Sequence, residues 1–203
     1  MQYPATLTIR LAVLAVVLAA VPALAITPGA KAPDFTLTDT KGQDHTLSAY
    51  LAQGKTVVLE WFNPDCPFIV KHHKHHRTMD ETFARFGDLG LVWLAINSGA
   101  PGLQGHGLER NQKAHEEFAM TFPILLDAAG QVGKLYGAKT SPHMFVITPD
   151  GTVVYNGAID DDRSAMQLGK TNHVADALAA LAAGEPVAVA ETRPYGCSVK
   201  YAD

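Results

Sequence analysis

Residues 56 to 62, TVVLEWF, form a nearly continuous apolar run, and four residues past its end Cys66-Pro67 opens a long helix-like stretch. A run this apolar belongs to a strand covered on both faces. Proline is favoured at the first helical position, because the N–H it lacks would be unpaired there anyway. The spacing therefore predicts a central strand, a short turn, and a helix over 67–87 with Cys66 as its N-cap. This one step demands layers on both sides of a sheet and places a sulfur at the strand's end.

The rest of the chain supplies those layers. FTLTDTKGQDHTL alternates around Lys41-Gly42 and predicts an N-terminal hairpin. GLVWLAIN and FPILLD read as further buried strands, LERNQKAHEEFAM and GQVGKLYG as helices, and HMFVITPDGTVVYNGAI as a hairpin turned at Pro149-Asp150-Gly151. NHVADALAALAAG is predicted helical, with Asn172 as N-cap, Val174, Leu178 and Leu181 on one face, and Gly184 as the stop. The fold class is thus α/β, a mixed central sheet with helices on both faces. Residues 185–203 carry little periodic signal and read as an irregular tail.

Before all this, Arg10 precedes the apolar run LAVLAVVLAA and a small-x-small site, Ala23-Leu24-Ala25. That pattern predicts a secretory signal peptide over 1–25 and a single domain over 26–203 in an exported, periplasmic protein, with no stable membrane association after cleavage. Without residues 1–25 the formal charge moves from −4 to −5, which argues against a nucleic-acid partner and an anionic membrane surface. The chain has two cysteines, Cys66 and Cys197, in a compartment where disulfides persist.

A sulfur at a helix start faces free backbone N–H groups and the positive end of the helix dipole, which favour thiolate over thiol. Glu60 interrupts the apolar strand six residues before Cys66. Alternation puts Val58, Glu60 and Phe62 on one face, so the carboxyl is expected to be desolvated near the sheet's end and able to exchange protons with the thiol.

The order strand, Trp61, Cys66-Pro67, helix, then Ser141-Pro142 before a strand resembles the thioredoxin-like fold. The stretches GAKAPDFTLTDTKG, ILLDAAGQVGKLYGAKTSPHMFVITPDGTVVYNG and TRPYGCSVKY resemble peroxiredoxin-like redoxins of the alkyl hydroperoxide reductase and thiol-specific antioxidant group. That resemblance implies a cis-proline loop at Pro142 facing the reactive Cys66, and a buried acid at Glu60. The sequence departs from it in two ways. Ile69 stands where thioredoxins carry the second cysteine of Cys-x-x-Cys, and Leu59 and Asn63 stand where peroxiredoxins carry proline and the peroxide-polarising threonine. The Asn63 amide is the partial substitute. Cys197, 131 residues away, is the one intrachain partner left for Cys66; the alternatives are an unpaired tail cysteine or one bonded to another chain.

Four histidines follow: His72, His73, His75 and His76. On a continuous helix His72 and His76 extend the stripe Phe68, Met79, Phe83 and Phe86, His75 borders it, and His73, Lys74 and Arg77 face water. The i, i+4 pair has metal-ligand spacing, with His143 or Cys66 as conceivable third ligands, but the structural reading is preferred and neither metal nor cofactor is expected. Asp160, Asp161 and Asp162 are expected to orient the turn before the last helix. Three functions follow in order: a thiol-disulfide oxidoreductase with Cys66 attacking, Cys197 resolving and the Pro142 loop as platform; a thiol peroxidase reducing hydroperoxides; and a zinc or copper carrier. Disulfide or thiol proteins are the expected substrates, with the electron donor unspecified.

Overall fold

The computed structural model describes residues 26–202, so the expected signal peptide lies outside the described residues. Strands β1 (Thr36–Thr38) and β2 (Asp44–Thr46) form the expected hairpin, and Gly42 takes φ 84° at its turn, a conformation glycine adopts without a Cβ penalty. Helix α1 (Leu47–Ala52) leads into β3 (Val57–Trp61), every residue of which is buried. Strands β4 (Val92–Asn97) and β5 (Ile124–Leu126) run parallel to it, while on its other side β7 (Met144–Ile147) pairs antiparallel with β3 and β8 (Val153–Gly157) antiparallel with β7, in the order β5-β4-β3-β7-β8. The apolar run is thus the middle strand of a mixed sheet.

Its alternation sorts two cores. Val58 and Phe62 join Ile69, Met79, Phe118 and Leu178, beneath helices α2 (Pro67–Val70), α3 (Thr78–Arg85), α4 (Leu108–Glu117) and α6 (His173–Ala183). Val57, Leu59 and Trp61 join Leu47, Val132 and Tyr136, beneath α1 and α5 (Gln131–Tyr136). Helices therefore cover both faces. Helix α6 has its predicted ends: Asn172 Oδ1 accepts from the Ala175 N–H at 2.9 Å, and Gly184 stops the helix at φ 70°.

The helix predicted over 67–87 is broken, and this is a correction. After α2 the chain runs through a π turn, Lys71–His75, and Arg77 adopts φ 50° before α3 begins. A π turn adds one residue to the cycle, so the 3-4 stripe slips. Lys71, His72 and His73 are all fully buried, and His76 lies at the edge with Nε2 against the Met166 carbonyl at 2.9 Å. His73, expected in water, is in the core. Lys74 is exposed as expected, and His75, expected beside the stripe, is exposed too.

The tail is ordered by short contacts. Strands β6 (Thr140–Ser141) and β9 (Cys197–Ser198) pair antiparallel, with Ser141 opposite Cys197. Beyond β9, Val199 N–H donates to the Lys139 carbonyl, Ala100 N–H donates to the Lys200 carbonyl, and the Tyr201 hydroxyl donates to the Ala138 carbonyl.

Candidate active site

The turn from β3 into α2 is tied before it reaches the sulfur. Asn63 Oδ1 accepts from the Asp65 N–H at 3.0 Å, the Asn63 carbonyl accepts from the Cys66 N–H at 3.0 Å, and Arg110 Nε donates to Asp65 at 2.8 Å. Asn63 Nδ2 donates to the Gln104 carbonyl at 3.2 Å. Both ends of the amide thus bond backbone groups and shape the turn.

Cys66 takes the predicted N-cap place, with Pro67 after it and extended φ and ψ of −84° and 124°. Its side chain does not cap the helix. The fully buried thiol instead donates to the Ser141 carbonyl at 3.0 Å, and Ser141-Pro142 is a cis peptide bond. The Pro142 loop therefore faces Cys66 as the resemblance implies. Cys197 meets the same residue from the other side, as the register partner of Ser141 in β9. Both cysteines are free thiols, and Cys197 packs on the core cluster that contains Cys66. The Cys197 thiol is pushed up to about 12, first by burial and then by the neighbouring Cys66 sulfur. Gly196 permits this approach. A Cβ there would stand 2.0 Å from the Ser141 oxygen, far inside contact distance.

Below the sulfur lies a buried polar set. Glu60 is fully buried on the predicted face; Oε1 pairs with His73 Nε2 at 2.7 Å, and Oε2 accepts from Trp93 Nε1 at 2.9 Å. Among the described residues no hydrogen bond joins Glu60 to Cys66 itself. His73 Nδ1 has no partner, with the rings of Phe62, Phe118 and Phe122 centred 5.3 to 6.0 Å from the imidazole. Sequence reasoning missed His73. The available signal was Glu60, since a carboxyl on a doubly covered strand needs a buried donor.

A second buried set joins the π turn after α2 to the tail. Lys71 Nζ lies 3.4 Å from Asp160 Oδ2 and donates to the carbonyls of Asp162 at 2.9 Å and Ser164 at 3.1 Å. The Tyr195 hydroxyl donates to Asp160 Oδ1 and accepts from His72 Nε2, 3.0 Å away, and its proton is held well above the usual phenol range by burial and then by Asp160. His72 Nδ1 accepts from Thr78 Oγ1 at 3.2 Å, and burial, then Lys71, lowers its pKa to about 3. His72 is therefore a neutral imidazole with both nitrogens bonded. His143 is also committed, between the Lys139 N–H and Asn156 Oδ1, with burial lowering it to about 4. Among the described residues no group of three His, Cys, Asp or Glu is placed to hold a metal ion. The spacing of His72 and His76 thus gathers no third ligand. Asp161 and Asp162 do orient their turn, accepting from the Thr171 and Ser164 N–H groups.

Residues 28–156 match the AhpC/TSA family, well over half of the chain. The chain belongs to the AhpC/TSA family. Within reach of that family, the chain is 34% identical over 157 residues to the thiol-disulfide oxidoreductase ResA of Geobacillus kaustophilus, covering 72% of this chain and 84% of that protein. It is 26% identical to a Mycobacterium tuberculosis protein that carries a peroxiredoxin name, covering 74% and 91%. The crystal structure of an uncharacterized conserved protein from Geobacillus kaustophilus superposes with TM-score 0.76 at 28% identity, over 87% of this chain and 93% of that one. This AhpC/TSA member is accordingly a thioredoxin-like, thiol-based oxidoreductase.

Proposed function

We propose that this protein is a periplasmic thiol-disulfide oxidoreductase that cycles through a disulfide between Cys66 and Cys197. The observation that carries the reading is the shared residue Ser141: the Cys66 thiol donates to its carbonyl, and Cys197 is its register partner. In the cycle the Cys66 thiolate attacks a substrate disulfide, forming a mixed disulfide and releasing one substrate thiolate. Cys197 then attacks the Cys66 sulfur, closes the intrachain disulfide and releases the second substrate thiol. The two protons lost by the cysteines leave on the substrate thiols.

Cys197 is held as a thiol at neutral pH, so resolution needs its proton removed and should quicken as pH rises toward 12. Glu60, a fully buried carboxyl on the sheet face that carries the Cys66 cluster, is the proton-exchanging group, and the Pro142 loop is the platform for the substrate backbone. The oxidoreductase name of the 34%-identical relative supports exchange over peroxide reduction, as does the commitment of the Asn63 amide to the turn. Export rests on Arg10, the apolar run and Ala23-Leu24-Ala25. Among the described residues no helix is long and apolar enough to cross a membrane.

Cys66→Ser should abolish exchange with a model disulfide, and Cys197→Ser should let the mixed disulfide accumulate. Full exchange activity in Cys66→Ser overturns the assignment.

A further inference from the structure

Between the end of α6 at Ala183 and Cys197 lie thirteen residues with no helix or strand of their own. A flexible linker of that length would present its cysteine at millimolar effective concentration, on the order of what short tethers give. The tail is not free, however. Two residues before Cys197, the buried Tyr195 hydroxyl enters the set formed by Asp160, Lys71 and His72, and its ring meets Phe68 edge-on at 5.7 Å. Lys71 and His72 stand on the same helical segment that Cys66 begins, five and six residues on. The segment that carries the attacking sulfur therefore grips the segment that carries the resolving one.

We infer that Tyr195, held by Asp160, Lys71 and His72, is a positioning residue that fixes Cys197 at the Cys66 sulfur in the reduced protein and so sets the stability of the Cys66-Cys197 disulfide. Fixing the resolving thiol beforehand removes the ordering entropy from the closing step, which favours the intrachain disulfide over the mixed one. The role is distinct from catalysis, since the Tyr195 hydroxyl is bonded to Lys71, His72 and Asp160 rather than to either sulfur. The inference rests on the two-cysteine cycle proposed above.

The test is the equilibrium of the full chain with glutathione, in which the protein dithiol and oxidised glutathione give the protein disulfide and two reduced glutathiones. Tyr195→Phe deletes the hydroxyl alone, and Asp160→Asn removes the charge that receives it. Each is expected to lower the equilibrium constant about tenfold, equivalent to about 30 mV for a two-electron couple. A change under threefold in both, with thermal unfolding showing them folded, overturns the inference. The unsubstituted reduced protein gives an independent reading by hydrogen exchange: the amide of Val199, bonded to the Lys139 carbonyl at 3.1 Å, should be protected, and exchange at the rate of a free peptide also overturns it. If oxidised glutathione never closes the 66–197 disulfide in the unsubstituted protein, the two-cysteine reading itself fails. If it closes equally well in all three proteins, the positioning role alone fails.

Discussion

His72 and His73 are neighbours in the chain, both fully buried, and they serve two different buried sets. His72 turns outward to the tail, with Tyr195 on one nitrogen and Thr78 on the other. His73 turns inward under β3, with Glu60 on one nitrogen and three phenyl rings around an unpartnered second. The difference lies in the π turn, which lets successive residues be buried toward separate clusters where a regular helix would put one of them in water. One helical segment thereby holds the tail and partners a buried carboxyl at once.

The inward set should be the costlier to break. His73→Ala leaves the Glu60 carboxyl with Trp93 alone in a dry core, and loss of one partner of a buried pair costs about 3–5 kcal/mol, read as a lower urea midpoint. Lys71→Met should cost less, about 2–3 kcal/mol for charge-assisted bonds, because Asp160 keeps Tyr195 and the Gly169 N–H. Equal losses for the two variants would erase the contrast.

Acid should act on His72 of the outward set and on the separately buried His143. His72 is lowered to about 3 and His143 to about 4, while both return to about 6.5 on unfolding, so the unfolded chain binds more protons between these values. Stability is therefore complete above pH 6.5 and falls as the pH drops toward 4. Each histidine contributes a slope of about 1.4 kcal/mol per pH unit, and His72→Gln should remove one such share from the stability profile. Smallest is Thr78→Val, which deletes one hydroxyl donor to His72 and should cost about 1 kcal/mol in the same urea titration.

Much of this was legible beforehand. The period-two alternation of residues 57 to 62 placed Glu60 on the correct face, the Cys-Pro step placed the N-cap, and Asn172 and Gly184 marked both ends of α6. These are local signals, each set by a few neighbouring residues. The π turn was not legible, because reading a stripe at 3 and 4 assumes an unbroken helix, and nothing in Lys71-His72-His73-Lys74-His75 announces an inserted residue. Lys71 illustrates the same gap. A buried ammonium requires an acid, and the acid came from Asp160, 89 positions away. The tail was equally opaque, since its order comes from scattered hydrogen bonds to β8, β6, the turn after α5 and the loop after β4, and from the buried Tyr195 hydroxyl, rather than from any periodic pattern.

Gly196 carries a consequence for how such a chain can change. Its lack of a side chain lets two backbones meet where the tail crosses the Ser141 carbonyl, so the approach of Cys197 to Ser141 depends on a missing methyl group. At φ 132° the position also disfavours any other residue. An alanine there would act as a wedge between the tail and the Ser141-Pro142 peptide, pushing Cys197 away from the carbonyl that receives the Cys66 thiol. For the two-cysteine cycle proposed above, a change at neither cysteine would then alter how the two thiols meet.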